Sequence, residues 1–180
     1  MDSNGQHTSR HPGTSHRRTY RVLIAIAVVI AAVVIAAVIT STLKQQQLQK
    51  AQDSLDPFYT PPSNIAAFLP GDIVRSEPMS IDIPEAQAWR ILYLSEQLDG
   101  QRSVTSGMII APKGSPSAGG RPVVAWAHPT LGMGTSCAPS RKANPYSGMP
   151  WLQGMIANGW VVAATDYHGL GTAGVLPYLV

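Results

Sequence analysis

Two glycine-rich loops hold most of the side chains able to do chemistry. The first, His128-Pro129-Thr130-Leu131-Gly132-Met133-Gly134-Thr135-Ser136-Cys137-Ala138-Pro139-Ser140, brings together an imidazole, hydroxyls and a thiol. The second, Asp166-Tyr167-His168-Gly169-Leu170-Gly171-Thr172, adds a carboxylate and another imidazole. Nucleophile, base and acid are the groups that acyl transfer needs, yet each of these residues has a plainer reading. Asp166 opens a glycine-rich turn, where a carboxylate caps the backbone that follows. His168 in the same turn packs or bonds locally. Cys137 lies in a run of small residues with no base assignable to activate it, and reads as a buried structural thiol or half of a disulfide with a partner beyond this chain. As the single cysteine it allows no disulfide within the chain. Gly134-Thr135-Ser136-Cys137-Ala138 imitates the G-x-S-x-[GA] elbow of serine hydrolases. A true elbow joins a strand tightly to a helix, whereas Ser136 stands nine residues beyond Ala127 inside a long loop. It is not read as a nucleophile. His7, His11 and His16 sit in a polar tail too flexible to hold a metal well, and no metal site is expected.

Strands have to present these loops. Val123-Val124-Ala125-Trp126-Ala127 is a continuous apolar run, as expected of a strand covered on both faces, and it delivers His128. Pro150 to Asn158 reads as a helix with proline near its start and Gly159 as its stop. Trp160 to Thr165 is a second apolar strand and delivers Asp166, so the order is that of a parallel βαβ crossover. Upstream, a short strand at Gly71–Ser76 is expected to end at Glu77-Pro78. Ala88–Gln97 and Ser103–Ile110 flank Asp99-Gly100, a strong hairpin turn signal. An antiparallel hairpin thus leads into a parallel sheet, whose function belongs at the C-terminal strand ends.

Three runs in this order, PGDIVRSEPM, RPVVAWAHPTLGMGTSCAPS and GWVVAATDYHGLGTAG with PYLV close behind, resemble the secretory lipase family of α/β-hydrolases. The resemblance spans roughly residues 68–180. It implies the N-terminal portion of an α/β-hydrolase fold and an ester hydrolase with a serine, an acid and a histidine in that chain order, working without a cofactor. It also implies that the loop from His128 supplies part of the oxyanion hole. Pro129 has no N–H, so the amide of Thr130 is the expected donor, with Leu131 second. His128, Asp166 and His168 then have structural roles in the active-site loops, because the family's acid and histidine lie much later. No G-x-S-x-G occurs in the 180 residues. The expectation is therefore an N-terminal fragment without its triad, inactive alone, and marginal because residues 123–127 become an open apolar edge. The rival readings are a noncatalytic tethered domain that binds a partner through that edge, and a nonfunctional remnant.

The N-terminal third is of another kind. From Val22 to Ile39 all 18 residues are Val, Leu, Ile or Ala, long enough to cross a bilayer. Arg10, Arg17, Arg18 and Arg21 precede this run, which by the positive-inside bias keeps the N-terminus cytoplasmic and the rest outside. A cleaved signal peptide is the runner-up, although its apolar core is usually shorter. The expected organisation is a disordered basic tail (1–21), a transmembrane signal anchor (22–43), a polar stalk and linker (44–65) and a partial hydrolase domain (66–180). The pI of 9.2 does not signal nucleic-acid binding, because much of the positive charge orients the anchor and no basic stripe follows it. The expected partners are the membrane and an acyl ester or lipid substrate, with the oligomeric state open.

Overall fold

In the computed structural model of the chain, residues 15–97 and 99–174 are described, with side chains from 17 onward. Tail residues 1–14 and the terminal stretch 175–180 lie outside them. The chain divides into two compact units, Met1–Lys50 and Ala51–Val180.

Among the described residues the first unit is one helix, α1 (Ser15–Asp53), whose last residues belong to the second. It is long and apolar enough to cross a membrane, or to serve as a signal sequence, and every described side chain from 17 to 50 is exposed. The helix begins before the apolar run and takes in Arg17 to Arg21, which the sequence suggested would be disordered. Once the apolar segment has nucleated a helix, each added residue costs little and gains one backbone bond. Thr40, Ser41 and Thr42 turn their hydroxyls back on the carbonyls of Ala37, Val38 and Ile39, so the polar end of the run stays satisfied within the helix. Gln, Lys, Leu and Ala then carry it to Asp53 as good helix formers.

The second unit is a five-stranded mixed sheet: β1 (Ile73–Met79), β2 (Ala86–Glu96), β3 (Arg102–Pro112), β4 (Val123–Ala127) and β5 (Val161–Thr165), in the spatial order β1-β2-β3-β5-β4. The hairpin β2–β3 runs in unbroken register from Ala86↔Pro112 to Glu96↔Arg102. Gly100, at φ +78°, supplies the positive φ of the loop. β1 runs through Pro78 instead of ending there, which an edge strand allows because proline's missing N–H can face outward. β3 pairs antiparallel with β5, and β5 pairs parallel with β4 across the crossover helix α3 (Leu152–Ala157).

Strand alternation divides the sheet into two unlike faces. On one face, Leu152 and Ile156 of α3 pack with Met108, Ile110, Val162 and Ala164. Farther along the same face, Leu92, Leu94 and Val104 meet Phe58 and Tyr59, which are 7% and 3% exposed. These two aromatics belong to a one-turn helix, α2 (Asp56–Tyr59), in the stretch that the sequence marked as a linker up to residue 65. Pro57 sits in its first turn, where the ring suits a helix start rather than breaking one. The folded unit therefore begins earlier than the prolines suggested. The opposite face carries no helix in the described residues.

Candidate active-site loops

The described loops converge where β4 and β5 end. Asp166, directly after β5, is fully buried. Its carboxylate does not cap the glycine-rich turn after it, as the sequence suggested. Oδ2 instead accepts from Ser106 Oγ of β3 at 2.7 Å and, by a very short bond, from Ser140 Oγ, while Oδ1 accepts from the Ser140 amide at 2.9 Å. These donors come from positions 60 and 26 residues away, outside the reach of any local motif. Burial pushes the Asp166 carboxyl above its ordinary range, and the bonds from Ser106 and Ser140 and the nearby His128 oppose that shift.

Ser140 is a hub. Its hydroxyl also pairs with Tyr59 OH at 2.6 Å, and its carbonyl accepts from Arg90 Nε at 3.0 Å. Arg141 follows, 6% exposed, with its guanidinium 4.1 Å from the Tyr59 ring centre and bonded to Asp56 at 2.7 Å. Arg90 is paired with Glu77 and lies over Phe58 and Tyr59. The far end of the first loop is therefore anchored to α2 and, through Asp166, to β3 and β5. None of Tyr59, Arg90, Ser106 or Arg141 stood out in the sequence. The one available signal was a hydroxyl at position 106 in the otherwise inward-facing series Val104, Met108, Ile110.

His128, at the end of β4, is 3% exposed. Its Nδ1 lies 2.7 Å from the Pro129 carbonyl and its Nε2 3.2 Å from the Asp166 carbonyl. The ring stacks on Tyr167 at 4.2 Å, and the Tyr167 hydroxyl donates to the His128 carbonyl at 2.6 Å. Tyr167 holds φ +68°, uncommon for a residue with a Cβ. Both imidazole nitrogens thus face backbone carbonyls that tie the two loops together. His168 is half-buried, packs close to Gly174, and its Nδ1 has no hydrogen-bond partner among the described residues.

Thr130 and Leu131 come next in the first loop, both exposed, and neither amide donates to an acceptor among the described residues. Ser136 sits in a short 3-10 turn, Thr135–Cys137, exposed and without a hydrogen bond to either His128 or His168. Cys137 is half-buried with its thiol free, close against Gly132. Among the described residues no cluster of three His, Cys, Asp or Glu side chains could hold a metal.

No family profile matches the chain. A probable inactive lipase of Mycobacterium tuberculosis (strain CDC 1551 / Oshkosh) is 24% identical over 139 residues, which is 69% of this chain and 31% of that protein. Among solved structures, Candida antarctica lipase A in its closed state superposes with a TM-score of 0.52 and 20% identity, over 61% of this chain and 28% of the lipase. The rice cell wall degrading esterase of Xanthomonas oryzae does so with a TM-score of 0.50 and 22% identity, over 62% of this chain and 33% of the esterase. The chain thus spans about a third or less of the proteins it matches. Its mixed sheet is the N-terminal portion of the α/β-hydrolase fold seen in lipases and esterases, and it is preceded by an apolar helix.

Proposed function

We propose that this chain is the N-terminal part of a membrane-anchored serine ester hydrolase of the secretory lipase type, acting on an acyl ester or lipid. The observation that carries the reading is the loop after β4. A proline without an N–H is followed by two exposed amides, Thr130 and Leu131, and His128 and Ser140 fix the loop at either side. Amides held in this way and left without acceptors suit an oxyanion that forms only in the transition state. The lipases and esterases whose fold the sheet shares support the same substrate class.

The nucleophile has to come from outside these residues, because no G-x-S-x-G stands among them and Ser136 lacks a base. Alone, the chain is expected to bind or orient an ester without turning it over. The arginines before the apolar helix support a cytoplasmic N-terminus and an extracytoplasmic domain. The test is Thr130→Pro in the ester-hydrolysing species isolated from membranes through this chain. Removing that one N–H should lower kcat by about 10²–10³ with little change in KM. An unchanged kcat would remove Thr130 from the oxyanion hole.

A further inference from the structure

Among the described residues, Tyr167 is the one residue other than glycine that holds a positive φ, at +68°. A residue with a Cβ is strained there, and glycine or asparagine takes the conformation more easily. A turn that needed only its backbone shape has no use for tyrosine. What tyrosine adds is a ring and a phenol, and both go to His128. The ring centres lie 4.2 Å apart, and the hydroxyl donates to the His128 carbonyl at 2.6 Å. The Tyr167 amide donates to Thr165 Oγ1 at 3.0 Å, and that hydroxyl is bonded to Tyr93 OH at 2.7 Å. The strained residue is thus held by β5 and, through it, by β2.

His128 passes this restraint on. A carbonyl oxygen only accepts, so Nδ1, 2.7 Å from the Pro129 oxygen, donates to it. That oxygen belongs to the planar peptide unit whose nitrogen is that of Thr130. No peptide among the described residues is cis, and in a trans unit C=O and N–H point in opposite directions. Holding the Pro129 carbonyl against the imidazole therefore fixes the direction of the Thr130 N–H, which has no acceptor among the described residues. We infer that Tyr167 is a positioning residue for the oxyanion hole, seating the His128 ring so that Nδ1–H sets the Pro129–Thr130 peptide plane and aims the Thr130 amide. That role depends on the hydrolase reading above, and adds to it how the donor is held before an ester arrives. A donor aimed in advance acts on charge that develops in the transition state, so a loosened plane shows in kcat rather than in KM.

The test measures hydrolysis of p-nitrophenyl butyrate by the species isolated from native membranes through this chain. It compares Tyr167→Phe, Tyr167→Gly and Thr130→Pro with the combination of Tyr167→Phe and Thr130→Pro. Tyr167→Phe keeps a ring on His128 and loses one neutral hydrogen bond, so kcat should fall on the order of tenfold with KM little changed. Tyr167→Gly suits the positive φ, yet should lower kcat further, because ring and phenol both go. In the Thr130→Pro background Tyr167→Phe should add nothing, since the amide it aims is already gone. An unchanged kcat in both Tyr167 variants, beside a slow Thr130→Pro, would overturn the proposal and leave the hydrolase reading standing. So would an equal loss with and without Thr130→Pro, because Tyr167 would then act elsewhere. If Thr130→Pro alone leaves kcat unchanged, or if no ester is hydrolysed, the underlying reading fails and the proposal falls with it.

Discussion

At the scale of single residues, the described loops are joined to β3 through one buried carboxylate. Asp166 gathers Ser106, Ser140 and the Ser140 amide, and through Ser140 it reaches Tyr59. Removing the Ser140 hydroxyl takes a donor from a fully buried carboxyl group and a partner from Tyr59. Ser140→Ala should therefore cost about 1–3 kcal/mol in urea denaturation. The pH dependence has a definite sign. Burial raises the folded-state pKa of Asp166 above its ordinary value of 3.8. A raised acid favours the folded state while protonated, so its contribution is present below pH 3.8 and is lost as pH rises through the raised value. Asp166→Asn cannot ionise. The unfolding free energy of the wild type relative to this variant should fall as pH rises from about 4, and a constant difference would show that Asp166 does not titrate on folding. None of this was legible in the loop itself. The sequence suggested that Asp166 caps the turn after it, whereas its donors are Ser106 of β3 and Ser140 of the first loop, and Ser140 is itself held by Tyr59 of α2 and Arg90 of β2.

At the scale of elements, sequence pattern worked where one strong signal acted alone and failed where a local breaker met a tertiary demand. The turn at Asp99-Gly100 read correctly because turn chemistry acts within a few residues. The apolar run Val123–Ala127 read correctly as a strand but not as one covered on both faces, since Val123, Ala125 and Ala127 are exposed among the described residues. Pro57 and Pro61-Pro62 read as a linker because prolines normally break regular structure, but the bare face over Leu92, Leu94 and Val104 needs a cover, and Phe58 and Tyr59 provide it. Phe58→Ala should lower stability by about 3–5 kcal/mol, and removing residues 51–65 should do at least as much. If the domain starting at residue 66 melts at the same urea concentration as that starting at 51, α2 is not part of the core. The β3–β5 junction makes a sharper demand. A Cβ on Gly107 would come within 2.5 Å of the Ala164 carbonyl oxygen, a backbone atom that cannot swing aside. Gly107→Ala should part these strands, lower stability by more than the ~1–3 kcal/mol of ordinary overpacking, and speed exchange of the β5 amides.

At the scale of the whole molecule, a long apolar helix and an α/β half-sheet share one chain, and each suggests its own environment. The helix places no polar face toward a protein core, which suits lipid. Arginine at Ala32, near its middle, should disfavour insertion by about 2.5–3.5 kcal/mol and shift the protein into the alkaline-carbonate-soluble fraction. Among the described residues the sheet presents a candidate oxyanion loop and a β4 strand paired only with β5, and no G-x-S-x-G stands in these 180 residues. The most direct measurement is fluorophosphonate labelling of whatever is isolated from native membranes through this chain, with the labelled peptide mapped by mass. The account predicts one labelled serine in a G-x-S-x-G setting outside these 180 residues. A label on Ser136 or any other serine within them, or no labelled serine in the isolated species, would contradict it.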